Sequence, residues 1–229
     1  MEVKPTSIYA ISDFHLSFGT PDKPMNVFGP VWDGHEEKIK KDWLSKIGED
    51  DYIILSGDFS WATYLEETKA DFEYLNSLPG KKYILKGNHD YWWTTVKKMN
   101  EFLKQNGFEN INFIYNNAYD IGNYLLAGTR YWGYSEEAED NDKIFEREIL
   151  RAKLSLDAAK SIDKDKPIIF TTHYPPDDKI IEALKEYNIK IWIYGHIHSK
   201  YEENLVEIPG IVTKLTSCDY LNFKAIRLE

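Results

Sequence analysis

A single cysteine, Cys218, excludes an intrachain disulfide and suits a reducing compartment. Long apolar runs are also missing. Those present, such as Tyr52 to Leu55 and Ile191 to Tyr194, hold four to six residues, far below the roughly 20 needed to cross a bilayer. No membrane helix is expected. The N-terminal Met-Glu-Val-Lys-Pro-Thr has neither the basic region nor the apolar stretch that directs export, which makes the cytoplasm the expected location. Positive charge is scarce, with 28 Lys and Arg against 38 Asp and Glu and a formal charge of −10. That balance repels a polyanion at long range, and no cluster of Lys and Arg interleaved with aromatics offsets it. Long nucleic acid is therefore disfavoured as a partner. Internal repeats and low-complexity tracts are lacking as well.

What is present is a chain of 229 residues, 42% hydrophobic and 15% aromatic, sufficient for one core and read as a single domain over residues 1–229. Short runs rich in β-branched and aromatic residues predict strands at Ser7 to Ile11, Tyr52 to Leu55, Tyr83 to Leu85, Tyr124 to Ala127, Ile168 to Thr171 and Ile191 to Tyr194. Apolar residues recurring at three and four predict helices at Glu36 to Ile47, Tyr64 to Ser77, Trp92 to Gln105, Asp142 to Ser161 and Lys179 to Glu186. The alternation argues for a layered α/β domain. Ile211 to Thr216 and Phe223 to Leu228 follow as strands with no helix between them, suggesting a second, partly antiparallel sheet.

Leu16 to Gly34 fits neither period. This Pro- and Gly-punctuated stretch reads as a functional or packed surface loop. At its end, Asp33 with Glu36 three residues on resembles a helix capping box.

Polar residues recur after the strands: Asp13 and His15, then Asp58, then Asn88 and His89, then His173, then His196 and His198. Ligand sites of open α/β sheets lie at the carboxyl ends of the strands, so these residues converge. Imidazoles with carboxylates suit first-row transition metals better than Mg²⁺ or Ca²⁺. In each of the pairs Asp13/His15 and His196/His198, side chains two apart on an extended segment share one face. A lone His or Asp at a strand end is usually a satisfied polar group; five of six histidines in this position point to a metal site.

At Asp13-Phe14-His15, Gly57-Asp58, Gly87-Asn88-His89-Asp90, His173 and Gly195-His196-Ile197-His198, in that order over most of the chain, the sequence resembles the calcineurin-like metallophosphoesterase family. The resemblance implies an α/β/β/α sandwich of two mixed β-sheets flanked by helices. It also implies two divalent transition-metal ions (Mn, Fe, Zn or Co), one held by Asp13, His15 and His198, the other by Asn88, His173 and His196, with Asp58 bridging. His89 would assist leaving-group departure, with Asp90 a candidate to orient its ring. The implied reaction is hydrolysis of a phosphate ester by a hydroxide bridging the metals. Its substrate would be a small phosphorylated molecule, either a monoester or a diester. Gly57-Asp58 continues as Phe59, Ser60 and Trp61, unlike the longer, Arg-containing motif of the protein-phosphatase branch. A catalytically silent interaction scaffold of the same fold is the alternative.

Arg130 is a further candidate for substrate contact, since a planar guanidinium forks onto phosphate oxygens; the alternative is a surface salt bridge. His35 is the one histidine outside the motifs, a weaker candidate expected to be an exposed first-turn residue. Phe18, Phe28, Trp32, Trp92, Trp93, Tyr131, Trp132 and Tyr174 fall near strand ends, as core anchors or a stacking wall. Oligomeric state is not encoded in any pattern found.

Overall fold

A computed structural model describes residues 6–132, 141–198 and 205–229. The first five residues, part of the segment on which the export expectation rests, lie outside it. The strands are β1 (Ile8–Ala10), β2 (Tyr52–Leu55), β3 (Lys81–Leu85), β4 (Ile111–Ile114), β5 (Ala118–Asp120), β6 (Leu125–Thr129), β7 (Ile168–Thr172), β8 (Ile189–Tyr194), β9 (Val212–Leu215) and β10 (Ile226–Arg227). The helices are α1 (His35–Lys46), α2 (Lys69–Asn76), α3 (Val96–Asn106), α4 (Asn141–Ile162) and α5 (Asp178–Leu184).

Two five-stranded sheets result, ordered β10-β1-β2-β3-β4 and β5-β6-β7-β8-β9. β1 to β4 run parallel, as do β6 to β9, while β10 and β5 are antiparallel edges. Period-two alternation divides each strand between two cores. Ile8, Ala10, Ile54, Tyr83 and Leu85 meet Leu126, Ile169, Ile191 and Ile193 between the sheets. Their neighbours Tyr9, Ile53, Leu55 and Ile84 pack with Ile39, Trp43, Phe72 and Met99 of α1 to α3, and Phe170 and Trp192 pack with Leu156 and Ile180 of α4 and α5. The layers are thus α/β/β/α, the arrangement the resemblance implied.

Several expected elements differ. The two C-terminal strands do not share a sheet: β9 joins β8 in parallel and β10 crosses to β1 of the other sheet. β4 and β5 were not anticipated, because Asn112 interrupts the short apolar run of β4 and β5 (Ala-Tyr-Asp) has none. The α3 helix starts at Val96, where the Thr95 side chain accepts from the Lys98 N–H, rather than at Trp92. The run from Tyr64 opens as a 3₁₀ turn over Leu65–Thr68 before α2 begins. Asp33 does not cap α1: the N-cap is Gly34, with φ of 60°, and no side chain caps it. The Leu16 to Gly34 stretch is a largely exposed loop with 3₁₀ turns at Met25–Phe28 and Pro30–Trp32, anchored by the buried Leu16, Met25 and Trp32.

Candidate metal centre

The strands end where the donors begin. β1 runs into Asp13 and His15, β2 into Asp58, β3 into Asn88, β7 into His173, and β8 into His196 and His198. Asp13, His15, Asp58 and His196 have φ of 58°, 48°, 52° and 70°, a left-handed conformation that non-glycine residues adopt at a cost of about 1–3 kcal/mol and that clusters at functional sites. Glycines admit the close backbone approach: a Cβ on Gly87 would collide with the Asp58 carboxylate, and one on Gly57 with the His173 ring.

Two groups of donors gather. Asp13, His15 and His198 form one, and Asp13, Asp58 and His173 another. His198 Nδ1 pairs with Asp219 at 3.1 Å, so its Nε2 presents a lone pair, and this atom lies 3.3 Å from His15 Nε2 and 3.8 Å from Asp13 Oδ1. His173 Nδ1 donates to the Ser56 carbonyl at 2.9 Å; its Nε2 faces Asn88 Oδ1 at 2.7 Å and Asp58 Oδ2 at 3.4 Å. His196 Nδ1 is 3.0 Å from the same Asn88 oxygen. Asp58 Oδ2 lies 3.7 Å from His15 Nε2, between the two groups, and is buried without a hydrogen bond among the described residues.

Lone pairs facing lone pairs repel unless a cation stands among them, so this donor set fits the two metal ions that the resemblance implies. Burial pushes the His15 pKa down to about 3, and burial with the nearby His173 charge lowers His196 to about 4; both are neutral imidazoles, as ligation requires. At His173 burial is the largest influence and acts downward, yet the Asp58 and Asp13 charges and the hydrogen bonds to Asp58 and Ser56 together outweigh it and raise the pKa to about 9, so positive charge is favoured at this point.

Surrounding groups hold the donors. Asp13 Oδ2 accepts from Ser12 Oγ at 2.5 Å and Ser217 Oγ at 3.1 Å, and Asp13 Oδ1 from the His196 N–H at 3.0 Å. The fully buried Asp90 carboxylate accepts from the N–H groups of Gly87, Asp58, Phe59 and Ser60 and from Trp92 Nε1, at 2.7–3.3 Å. Among the described residues it makes no hydrogen bond or ion pair with the His89 ring, contrary to the orienting role expected of it, because its oxygens are taken up by the loops that carry Asp58 and Asn88. Burial and the Asp58 charge push its pKa up, against the pull of those donors. The His89 ring packs on Trp61 (4.6 Å) and His15 (5.5 Å), with its Nδ1 buried and without a hydrogen bond among the described residues.

His35 corrects another expectation. It is 3% exposed, not a surface residue, and its Nδ1 and Nε2 face the carbonyls of Trp32 (3.1 Å) and Phe14 (2.9 Å), tying the loop to the Asp13-Phe14-His15 turn. Trp61 also went unanticipated as a site residue; its ring stacks on His15, centroids 4.8 Å apart. With Met25, Phe28, Val31 and Trp32 it makes the apolar wall of a cavity of about 360 Å³ that reaches His15, His89 and His198. Arg130 makes no ion pair among the described residues; its guanidinium lies 4.7 Å over Trp132, and its carbonyl accepts from the His173 N–H at 3.1 Å. It lines a second cavity with Lys86, Arg147 and Arg151. Burial and then the Arg130 charge lower the Lys86 pKa.

The fold places the chain among α/β sandwiches that work at the carboxyl ends of their strands. A family model described as calcineurin-like phosphoesterase matches residues 6–200, and the chain belongs to that family of metal-dependent phosphoesterases. Similar solved structures include a protein of unknown function from Aquifex aeolicus, 19% identical with a TM-score of 0.54, covering 97% of this chain and 96% of that one. Another, from Thermus thermophilus, is 16% identical with a TM-score of 0.60 and covers 97% of each chain. At these identities the likeness is one of fold. No curated protein matches the sequence. Among the described residues no helix is long and apolar enough to cross a membrane.

Proposed function

We propose that the chain, acting as one domain in the cytoplasm, hydrolyses a small phosphate ester at a dinuclear metal centre. The observation that carries this reading is the buried Asp58 Oδ2, which has no hydrogen bond among the described residues and lies between two sets of imidazole, amide and carboxylate donors. Asp13, His15 and His198 would hold one ion, Asn88, His173 and His196 the other, and Asp58 would touch both. Bound ions supply Lewis acidity to the phosphoryl group and to the attacking water. Two divalent ions against the Asp13 and Asp58 carboxylates leave a local excess of about two positive charges in an acidic protein, which draws in a phosphate.

The chain's own residues supply orientation. Asp219 and the Ser56 carbonyl fix which nitrogens of His198 and His173 face the centre. His89, which lines the apolar cavity, would donate a proton to the leaving oxygen. The wall of Trp61, Phe28 and Trp32 suits an apolar or aromatic leaving group and excludes water from that side.

The test is hydrolysis of an aryl phosphomonoester beside an aryl phosphodiester, after chelation and Mn²⁺ add-back. Metal-dependent turnover of either ester, reduced in His89→Ala, supports the reading and chooses its branch. A chain that binds no metal and cleaves neither ester overturns it.

A further inference from the structure

The second cavity, of about 350 Å³, opens beside the metal centre at the carboxyl ends of β3, β4 and β6. In a chain of formal charge −10, four of its lining side chains are cations: Lys86, Arg130, Arg147 and Arg151. The facing anion is Glu148, fully buried, which accepts from Arg151 at 2.8 Å and lies 3.6 Å from Arg147 Nε. Among the described residues, these four cations outnumber Glu148 and the buried Asp90, whose charge reaches Lys86, and leave a local excess of +2. Among the described residues, neither Lys86 nor Arg130 has an ion pair. Stacking on Trp132 fixes the Arg130 plane instead. Holding like charges together costs energy that folding does not require, and bound anions offset it.

The cavity also lies within reach of the reacting phosphate. Lys86 stands two residues before Asn88, so their Cα atoms are within about 7 Å. The Arg130 carbonyl holds the His173 N–H directly. Asn88 and His173 are both among the residues proposed to hold the second ion, whereas the apolar cavity borders His15 and His198, proposed for the first. A molecule seated on the metals can therefore extend in two directions, one apolar and one cationic.

We propose that this cavity binds a second anionic group of a phosphate's charge and size while the ester phosphate occupies the metal centre, an inference that rests on the phosphoesterase reading. Arg130 and Arg151 present planar forks to the anion's oxygens, and Lys86 and Arg147 add charge. The anion is either a second phosphate of the substrate itself or a free inorganic anion that modulates turnover.

The Mn²⁺-loaded full chain would be assayed with α,ω-alkanediol bisphosphates of graded length against alkyl monophosphates of the same lengths. At the fitting length KM should fall about tenfold or more. The double variant Lys86→Met with Arg147→Gln should abolish that preference, and Lys86→Arg alone should keep it. If the anion is separate, no length is preferred, but inorganic sulfate should change turnover of the monophosphate without competing with it, and the double variant should lose this response.

Calorimetric titration with sulfate gives a readout independent of activity, with binding about tenfold weaker in the double variant. Hydrolysis of monophosphates with no bisphosphate preference and equal sulfate binding in both proteins overturns the inference and leaves the phosphoesterase reading intact. Failure to cleave any ester overturns that reading instead, and the sulfate titration then decides the cavity's role.

Discussion

Asp219 holds His198 through a 3.1 Å contact to Nδ1, turning the opposite nitrogen toward His15 and Asp13. A carboxylate behind a histidine fixes its tautomer and strengthens it as a ligand. Asp219→Ala should weaken metal binding about 10–100-fold with little change in fold. Competition with a coloured chelator measures this, and unchanged affinity would remove Asp219 from the site.

Asp90 acts on backbone rather than on His89. Its carboxylate gathers five N–H donors from the loops carrying Asp58 and Asn88. Asp90→Ala leaves those buried donors unsatisfied and should cost about 3 kcal/mol or more, read by urea unfolding, together with loss of metal affinity. A variant of normal stability and metal content, with only a shifted pH–rate profile, would restore the His89-orienting role.

The donors were legible because the strands leading to them are buried apolar runs: Tyr52–Leu55, Ile168–Thr172 and Ile189–Tyr194 stop where Asp58, His173 and His196 follow closely. Asp219 and Ser217 were not, since they follow β9 in a stretch without periodic or motif signal and reach Asp13 and His198 only through sheet pairing. Trp61 stood in the sequence as a departure from the usual second motif, yet its stacking on His15 depends on the loop fold. The burial of His35 is hidden for a similar reason: helix position alone gives no sign that the Phe14 and Trp32 carbonyls meet its ring. The failed Asp33 cap is a backbone effect, because Gly34 takes the left-handed turn at the N-cap itself.

His89 should matter in proportion to how much help the leaving group needs. A nitrophenolate departs without a proton, whereas an alkoxide requires one. His89→Ala should therefore slow alkyl ester hydrolysis about a hundredfold or more and 4-nitrophenyl ester hydrolysis only several-fold. Equal losses on both esters would make His89 a binding residue instead of a proton donor.

Trp61→Ala removes the ring that stacks on His15 and walls the apolar cavity. KM for aryl esters should rise about tenfold, while KM for methyl esters changes little. A uniform loss of kcat on both would mean that Trp61 positions His15 and does not contact the leaving group.

Stability should carry a pH signature from Asp71, which holds Ser60 on the loop that follows Asp58. Its buried carboxylate accepts from Ser60 Oγ at 2.5 Å and the Phe18 N–H at 2.8 Å, yet burial pushes its pKa up to about 6 from 3.8. A pKa raised on folding means that the native state binds this proton more tightly than the unfolded chain does. Stability from this group is therefore full below the unfolded value and is lost as pH rises through about 6. The whole shift amounts to about 3 kcal/mol, of which about 2 falls between roughly pH 4.5 and 7. Asp71→Asn cannot titrate, and its amide oxygen can still accept from Ser60 Oγ, which itself accepts from the Ala62 N–H. In chelator-treated protein, Asp71→Asn should thus gain about 2 kcal/mol relative to the parent over that interval by urea unfolding. Parallel pH curves for the two proteins would show that Asp71 titrates alike folded and unfolded.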